Sequence, residues 1–259
     1  MKKKVFLAAM LIALMAVGAF AQSVPQNSAR GSGRYDPNPG SDFDFRNGVI
    51  WGFSGPGGSF KNSFNDGPSG GRIVIPTEIN GIPVTSIKDD AFRNQPITQL
   101  VILHRIMIGN SAFERCPITD IRFEAFPLSI GTGVFAHTQL ANFTRNCLPE
   151  RIPSKIPDRL FSGTDRLRGE LIIPEGITEI GTRAFANTAI TSVTLPRTIR
   201  TIGEEAFAGC NQLTTVTIPS SVTSIIFRNH SFGGSSNRAP LNAASIQALQ
   251  ARGASGNNF

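Results

Sequence analysis

Apolar and polar positions recur in a fixed order along the middle of the chain. The clearest copies run Ile177 to Pro196 and Ile199 to Pro219, reading Ile-Thr/Arg-x-Ile-Gly-x-x-Ala-Phe, a few polar residues, then an alternating segment that ends in Pro. The aromatics that set the period are Phe92, Phe113, Phe135, Phe161, Phe185 and Phe207, spaced by 21, 22, 26, 24 and 22 residues. In each unit a segment such as Leu213-Thr-Thr-Val216-Thr-Ile218 alternates in and out, which predicts a short strand buried on one side. Pro174, Pro196 and Pro219 lack an amide hydrogen and end these strands. Gly109, Gly131, Gly181 and Gly203 follow Ile108, Ile130, Ile180 and Ile202, where a turn with relaxed backbone limits is expected. The residues after them, as in Glu204-Glu205-Ala206-Phe207, read as a short helical turn that drops one ring into the core.

One such unit is too small to bury its own apolar face. Stacked units shelter one another and pair their strands in parallel, so the array is the folding object. The period lies in the leucine-rich-repeat range, and the residues resemble the BspA-like, or Treponema pallidum-type, leucine-rich repeats of bacterial surface proteins. The resemblance covers about residues 41 to 226 and implies a leucine-rich-repeat solenoid. That solenoid is an α/β-type right-handed superhelix of short parallel strands and short helical turns. About six coils are expected, with a partial seventh at Val222-Thr-Ser-Ile225. Departures lie outside the last two full repeats: Lys88 and Pro157 replace the turn glycine, Val134 and Leu160 replace the small residue before the phenylalanine, and Arg145 stands at an inward strand position. The stretch from Asn146 to Ile156 is also irregular, which predicts a stack that kinks or opens near its centre.

The ends differ from the array. Phe43 to Phe53 carries Asn47-Gly48 between apolar runs, a hairpin signal, and a hairpin there (within residues 41–72) caps the exposed first coil. Trp51 belongs to that cap rather than to a ligand platform. The glycine-rich stretch from Gly55 to Gly71 lacks the Gly-Lys-Ser/Thr ending of a phosphate loop and reads as a flexible loop. The repeats span 73–226, and residues 227–259 form a loop and a short helix from Pro240 to Gly253 with an apolar 241/246/249 face. That helix either caps the last coil or docks a partner.

The N-terminus changes the picture of location. Lys2, Lys3 and Lys4, an apolar run from Val5 to Phe20 and Ala19-Phe20-Ala21 make a cleavable secretory signal over residues 1–21, followed by a flexible leader, 22–40. The apolar run is shorter than the roughly 20 residues that span a bilayer. The protein is therefore expected to be exported, to the cell surface, the medium or the periplasm, with no stable membrane insertion after cleavage. Cleavage removes three of the 25 bases, leaving 22 against 18 acids, so the whole-chain +7 falls to +4. The remaining bases are scattered, which argues against nucleic acid.

Candidate chemistry is sparse. His104, His137 and His230 fall in separate repeats without metal-ligand spacing, no nucleophile motif appears, and neither an enzymatic activity nor a cofactor or metal is expected. The acid pairs Asp89-Asp90 and Glu204-Glu205 precede the expected helical turns, where backbone amides favour negative charge. Cys116 and Cys210 share one repeat position four coils apart, near 19 Å at about 4.8 Å per coil, too far to bridge. Cys147 lies in the irregular segment and is the thiol expected to react or pair between molecules.

What remains is a surface. The strand residues that point outward, on the expected concave side, are Asp120, Arg122, Glu124, Asn142, Thr144, Glu170, Ser192, Thr194, Thr215 and Thr217. By resemblance, this face binds a protein or glycan partner on host matrix or another cell, and the role is adhesion-like. The alternative is a periplasmic or envelope scaffold for the producer's own proteins.

Overall fold

A computed structural model of the protein describes residues 43–53, 71–125, 127–141, 154–233 and 239–259. The signal, the leader, most of the glycine-rich loop, Asn142, Thr144, Arg145, Cys147 and most of the irregular stretch lie outside the described residues.

Each coil has three sides. On the first, the alternating segments form long strands. Gly71–Ile75, Ile97–Ile102 and Asp120–Phe123 make one three-stranded parallel sheet; Arg168–Ile172, Ala189–Thr194 and Thr215–Thr217 make another. Identical positions pair, so Ile73, Leu100 and Ile121 form one inward row and Leu171, Val193 and Val216 its counterpart, all buried. The ladder runs one amide past the assigned strands, since Ile173 and Leu195 donate to Thr194 and Thr217 carbonyls at 3.0 and 2.9 Å; the following prolines then stop it.

The second side is a ladder of two-residue strands. Ser86–Ile87, Met107–Ile108 and Ser129–Ile130 continue in parallel from the hairpin Phe43–Arg46/Val49–Phe53. Lys155–Ile156, Glu179–Ile180, Thr201–Ile202 and Ile226–Phe227 form the second set. At the hairpin turn Asn47 and Gly48 have φ of 50° and 82°, the left-handed pair a two-residue turn requires. The hairpin closes the first coil: Phe43 meets Phe92 edge-on at 6.2 Å, and Lys88 Nζ lies 3.4 Å from the Trp51 ring centroid.

The third side carries the phenylalanines and no strands. Ser111, Phe113 and Arg115 donate their amides to the carbonyls of Thr132, Val134 and Ala136 in the next coil at 2.8, 3.1 and 2.9 Å, and the same bonding recurs along the stack. The residues two before and two after each phenylalanine are left-handed in six successive coils, from Asp90 and Asn94 to Glu205 and Gly209. A left-handed residue ends a right-handed run, so these amides turn to the neighbouring coil instead of back along their own chain. The expected helical turns are therefore absent here. Helix among the described residues is confined to the C-terminal segment, so the array is a β-solenoid rather than an α/β alternation.

The rings stack in one column. Phe92, Phe113, Phe135, Phe161, Phe185, Phe207 and Phe232 are all fully buried, with successive centroids 5.1 to 5.9 Å apart. This makes about seven coils instead of six. The seventh is disguised in the sequence because Arg228 and Ser231 stand where Gly and Ala stand in the clearest copies. The repeat glycines also act differently from expectation: Gly109, Gly131, Gly181 and Gly203 are not left-handed. A Cβ on Gly203 would lie 2.6 Å from the Gly181 carbonyl carbon and 2.7 Å from the Thr182 nitrogen, so the glycine is required by close approach of two backbones.

The expected kink or opening near the centre of the stack falls on a stretch that lies mostly outside the described residues. The short-strand ladder falls into two sheets between Ser129–Ile130 and Lys155–Ile156, whereas the turn bonding and the ring column pass through without a break; the long-strand segment at this point lies outside the described residues.

The C-terminal segment closes the far end. Helix α1 (Ala243–Gln250) starts at Asn242, whose side chain accepts from the Ser245 amide at 2.8 Å. Ser245 Oγ then accepts the Val216 amide at 2.9 Å, where a further strand would have bonded. Arg252 O takes the Ile225 amide, and Asn257 O and Asn258 O take those of His230 and Phe232, at 2.9, 2.8 and 2.8 Å. Phe259 lies 6.5 Å from Phe232 at the end of the ring column. All three sides of the last coil are thus capped by residues 241–259, with Leu249 fully buried beneath them.

Candidate functional site

The outward residues of the long-strand side form two groups. In the first half Asp120, Arg122 and Glu124 are exposed along one strand end, and Arg122 pairs with Glu124. They line a shallow depression of about 400 Å³ together with Ile121 and Phe123. Arg72 and Gln99 stand in register with Asp120 and extend this polar row across three coils. Sequence reasoning missed both, because Arg72-Ile-Val-Ile and Gln99-Leu-Val-Ile look apolar throughout. The outward valines that cause this, Val74 and Val101, are only 8% and 6% exposed.

In the second half Glu170, Ser192 and Thr215 form one outward row and Ile172, Thr194 and Thr217 the next. Glu170 and Thr217 are exposed; Ser192, Thr194 and Thr215 are half-buried. Thr194 donates its hydroxyl to Glu170 Oε1 at 3.1 Å, and Asn242 donates its amide to Thr215 Oγ1 at 3.3 Å, so the cap already uses part of this row. Ile172, 58% exposed, is an outward residue that the polar pattern did not single out. The two groups belong to separate sheets. Asn142 and Thr144, which fall between them in the chain, lie outside the described residues.

The other candidate groups take structural places. The three histidines stay in separate coils: His104 Nε2 bonds the Val84 carbonyl at 2.7 Å, the His137 ring lies over Gly163, and the His230 amide meets the C-terminal cap. The acid pairs do not sit at helix starts. Asp89 accepts the Asn110 amide of the next coil at 2.7 Å, Asp90 pairs with Arg93, and Glu205 pairs with Arg183 at 2.6 Å.

Cys116 and Cys210 belong to a buried column beside the rings, with Thr138, Thr164 and Thr188 at the equivalent positions. Their thiols donate to the Phe92 and Phe185 carbonyls at 2.9 and 3.1 Å, doing the work of the threonine hydroxyls. Burial pushes the Cys116 thiol up to about 12 and the Cys210 thiol up to about 11, although Thr188 bonding lowers the latter slightly. A Cys147→Ser protein should therefore react with Ellman's reagent at pH 8 only after denaturation, releasing two equivalents; fast reaction of the native form would contradict the buried placement. Because both thiols are raised in the fold, their contribution to stability is present below pH 9. It is lost as the pH rises from about 9 towards 12, where the unfolded chain ionises first.

Ladders, ring column and turn geometry together define a leucine-rich-repeat β-solenoid. The family model for the BspA type leucine rich repeat region matches residues 61–168 and 130–247 in six copies. The chain belongs to that family. Among solved structures it is similar to the T. pallidum leucine rich repeat protein, at 22% identity and a TM-score of 0.63, over 81% of this chain and 90% of that one. A leucine rich cell surface protein of Faecalibacterium prausnitzii matches at 23% identity and a TM-score of 0.48, over 67% of this chain and 51% of that one. No curated protein matches the sequence.

Proposed function

We propose that the protein is an exported, non-catalytic binding protein of the cell envelope whose long-strand face contacts a protein or glycan on host matrix or a neighbouring cell. The observation that carries this reading is the outward row Arg72, Gln99 and Asp120 with Arg122 and Glu124: polar groups held in register by a rigid ladder, with most of their charge exposed to solvent. The second group, Glu170, Ser192, Thr194, Thr215 and Thr217, offers a carboxylate and four hydroxyls on the same side of its own sheet. Asn142 and Thr144 are proposed to join the face. No described helix is long and apolar enough to cross a membrane, and the N-terminal signal supports export.

The face is small. Three strands at about 4.8 Å spacing span only about 10 Å, far less than the roughly 800 Å² per partner of a standard interface demands. Adjacent loops complete it, or many copies on one surface hold by multivalency. Surface plasmon resonance of the mature protein over immobilised matrix proteins and glycans tests the reading. Saturable binding that falls at least about tenfold in Arg122→Glu, with unchanged thermal stability, supports it. Binding to none of the panel, or binding indifferent to Arg122→Glu and Glu170→Lys, sinks it; protease-resistance of the protein on intact cells would point to a periplasmic scaffold instead.

A further inference from the structure

The residue three before each stacked phenylalanine forms a column: Asp89, Asn110, Thr132, Asp158, Thr182, Glu204 and Asn229, aligned by the short-strand register and the ring column. In three steps a side-chain oxygen of this column accepts the column amide of the next coil. Asp89 Oδ1 takes Asn110 N at 2.7 Å, Asn110 Oδ1 takes Thr132 N at 2.8 Å, and Asp158 Oδ1 takes Thr182 N at 3.0 Å. At the C-terminal end the pattern stops: the amides of Glu204 and Asn229 have no acceptor among the described residues. A depression of about 370 Å³ opens there, lined by Thr182, Glu204, Phe227, Arg228 and Asn229. Arg228 is exposed and forms no ion pair among the described residues. Its bonds are made by the backbone: the amide donates to the Ile202 carbonyl at 2.9 Å, and the carbonyl accepts from Ser231 and Asn258.

We propose that this depression is a binding site for a carboxylate, separate from the long-strand face. The chain itself shows the chemistry, since the carboxylates of Asp89 and Asp158 hold the equivalent amides two and more coils away. An incoming carboxylate oxygen takes the Asn229 amide in the same manner, and the Arg228 guanidinium supplies the charge-assisted contact. The half-buried Phe227 forms an apolar wall. Glu204 sets a condition on the ligand: its own negative charge disfavours a bare anion and favours one with hydroxyl or amide donors beside the carboxylate. Two sources carry that chemistry, an acidic residue of a partner polypeptide and an acidic sugar.

The test is titration of the ¹⁵N-labelled full mature chain, following the Glu204 and Asn229 amides. The probes are N-acetyl-aspartate N-methylamide, glucuronate and, as the neutral control, glucose. Saturable shifts of both amides with either acidic probe and none with glucose are expected, and the tighter probe identifies the source. Arg228→Ala should weaken binding at least about tenfold, Glu204→Gln should tighten it about two- to threefold, and Arg197→Ala, with the same loss of net charge, should leave it unchanged. Shifts that do not saturate, that occur equally with glucose, or that survive Arg228→Ala would overturn the site.

Discussion

Phe135→Ala should split the unfolding of the protein into two transitions. Phe135 is fully buried and contacts Phe113 and Phe161 at 5.9 Å and Phe123 at 6.4 Å, so its truncation leaves a cavity and costs about 3–5 kcal/mol. The location makes the loss specific. The short-strand ladder divides between Ser129–Ile130 and Lys155–Ile156, the long-strand segment there lies outside the described residues, and the described bonds across that plane are few. They include Gly133, Phe135 and His137 donating to Asp158, Leu160 and Ser162, Thr164 Oγ1 reaching the Phe135 carbonyl at 3.2 Å, and the Arg168 amide reaching the Ala141 carbonyl at 3.2 Å on the long-strand side. In a solenoid each coil is stabilised by its neighbours, so weakening one interface uncouples what lies on either side. Trp51, the single tryptophan, reports on the first half, and exposure of the Cys210 thiol reports on the second. In the parent protein the two probes should change together on denaturation. In Phe135→Ala they should separate, whereas Phe207→Ala, flanked by continuous ladders, should lose similar stability with coincident probes. Coincident probes in Phe135→Ala would show that the halves are held by more than the ring column and the turn row.

The same geometry explains what the sequence made legible. Strand rows, ring column and hairpin follow from local rules: alternation for Thr215-Val216-Thr217, period for the phenylalanines, Asn47-Gly48 for the turn. The turn side was misread because its conformation is not local. Glu204-Glu205-Ala206-Phe207 has good helix formers, yet Glu205 is left-handed at φ 51° because the Asn229 carbonyl of the next coil takes its amide at 3.1 Å. Contact between coils overrides propensity there. The repeat glycines were recognised for the wrong reason, since a Cβ clash with another coil leaves no trace in one repeat. The candidate face was legible only where alternation was clean. Val74 and Val101 hid Arg72 and Gln99, and nothing in the chain signals that Asn242 of the cap reaches Thr215. The depression at Arg228 is a gap in a column, visible only once the register is known.

The C-terminal segment tests how far the solenoid depends on closure. A chain ending at Gly233 loses the acceptors for the Val216, Ile225, His230 and Phe232 amides, and uncovers the outer side of Phe232. Four bonds at about 1 kcal/mol each put the loss near 4 kcal/mol. At about 2–4 °C per kcal/mol for a chain of this size, Tm should fall by about 8–16 °C. Ser245→Ala removes one of the four and should lower Tm by only about 2–4 °C. The larger consequence is association. Strand edges left unpaired at Thr215–Thr217 and Ile226–Phe227 are templates for another chain, so the truncated protein should form oligomers while Ser245→Ala stays as dispersed as the parent. Light scattering with differential scanning calorimetry separates the cases: a truncated chain with parental Tm and parental size would mean that the last coil needs no cap. If association appears as expected, the cap has two roles in one segment, holding the seventh ring in the column and keeping the end of the ribbon from adding a neighbour's strands.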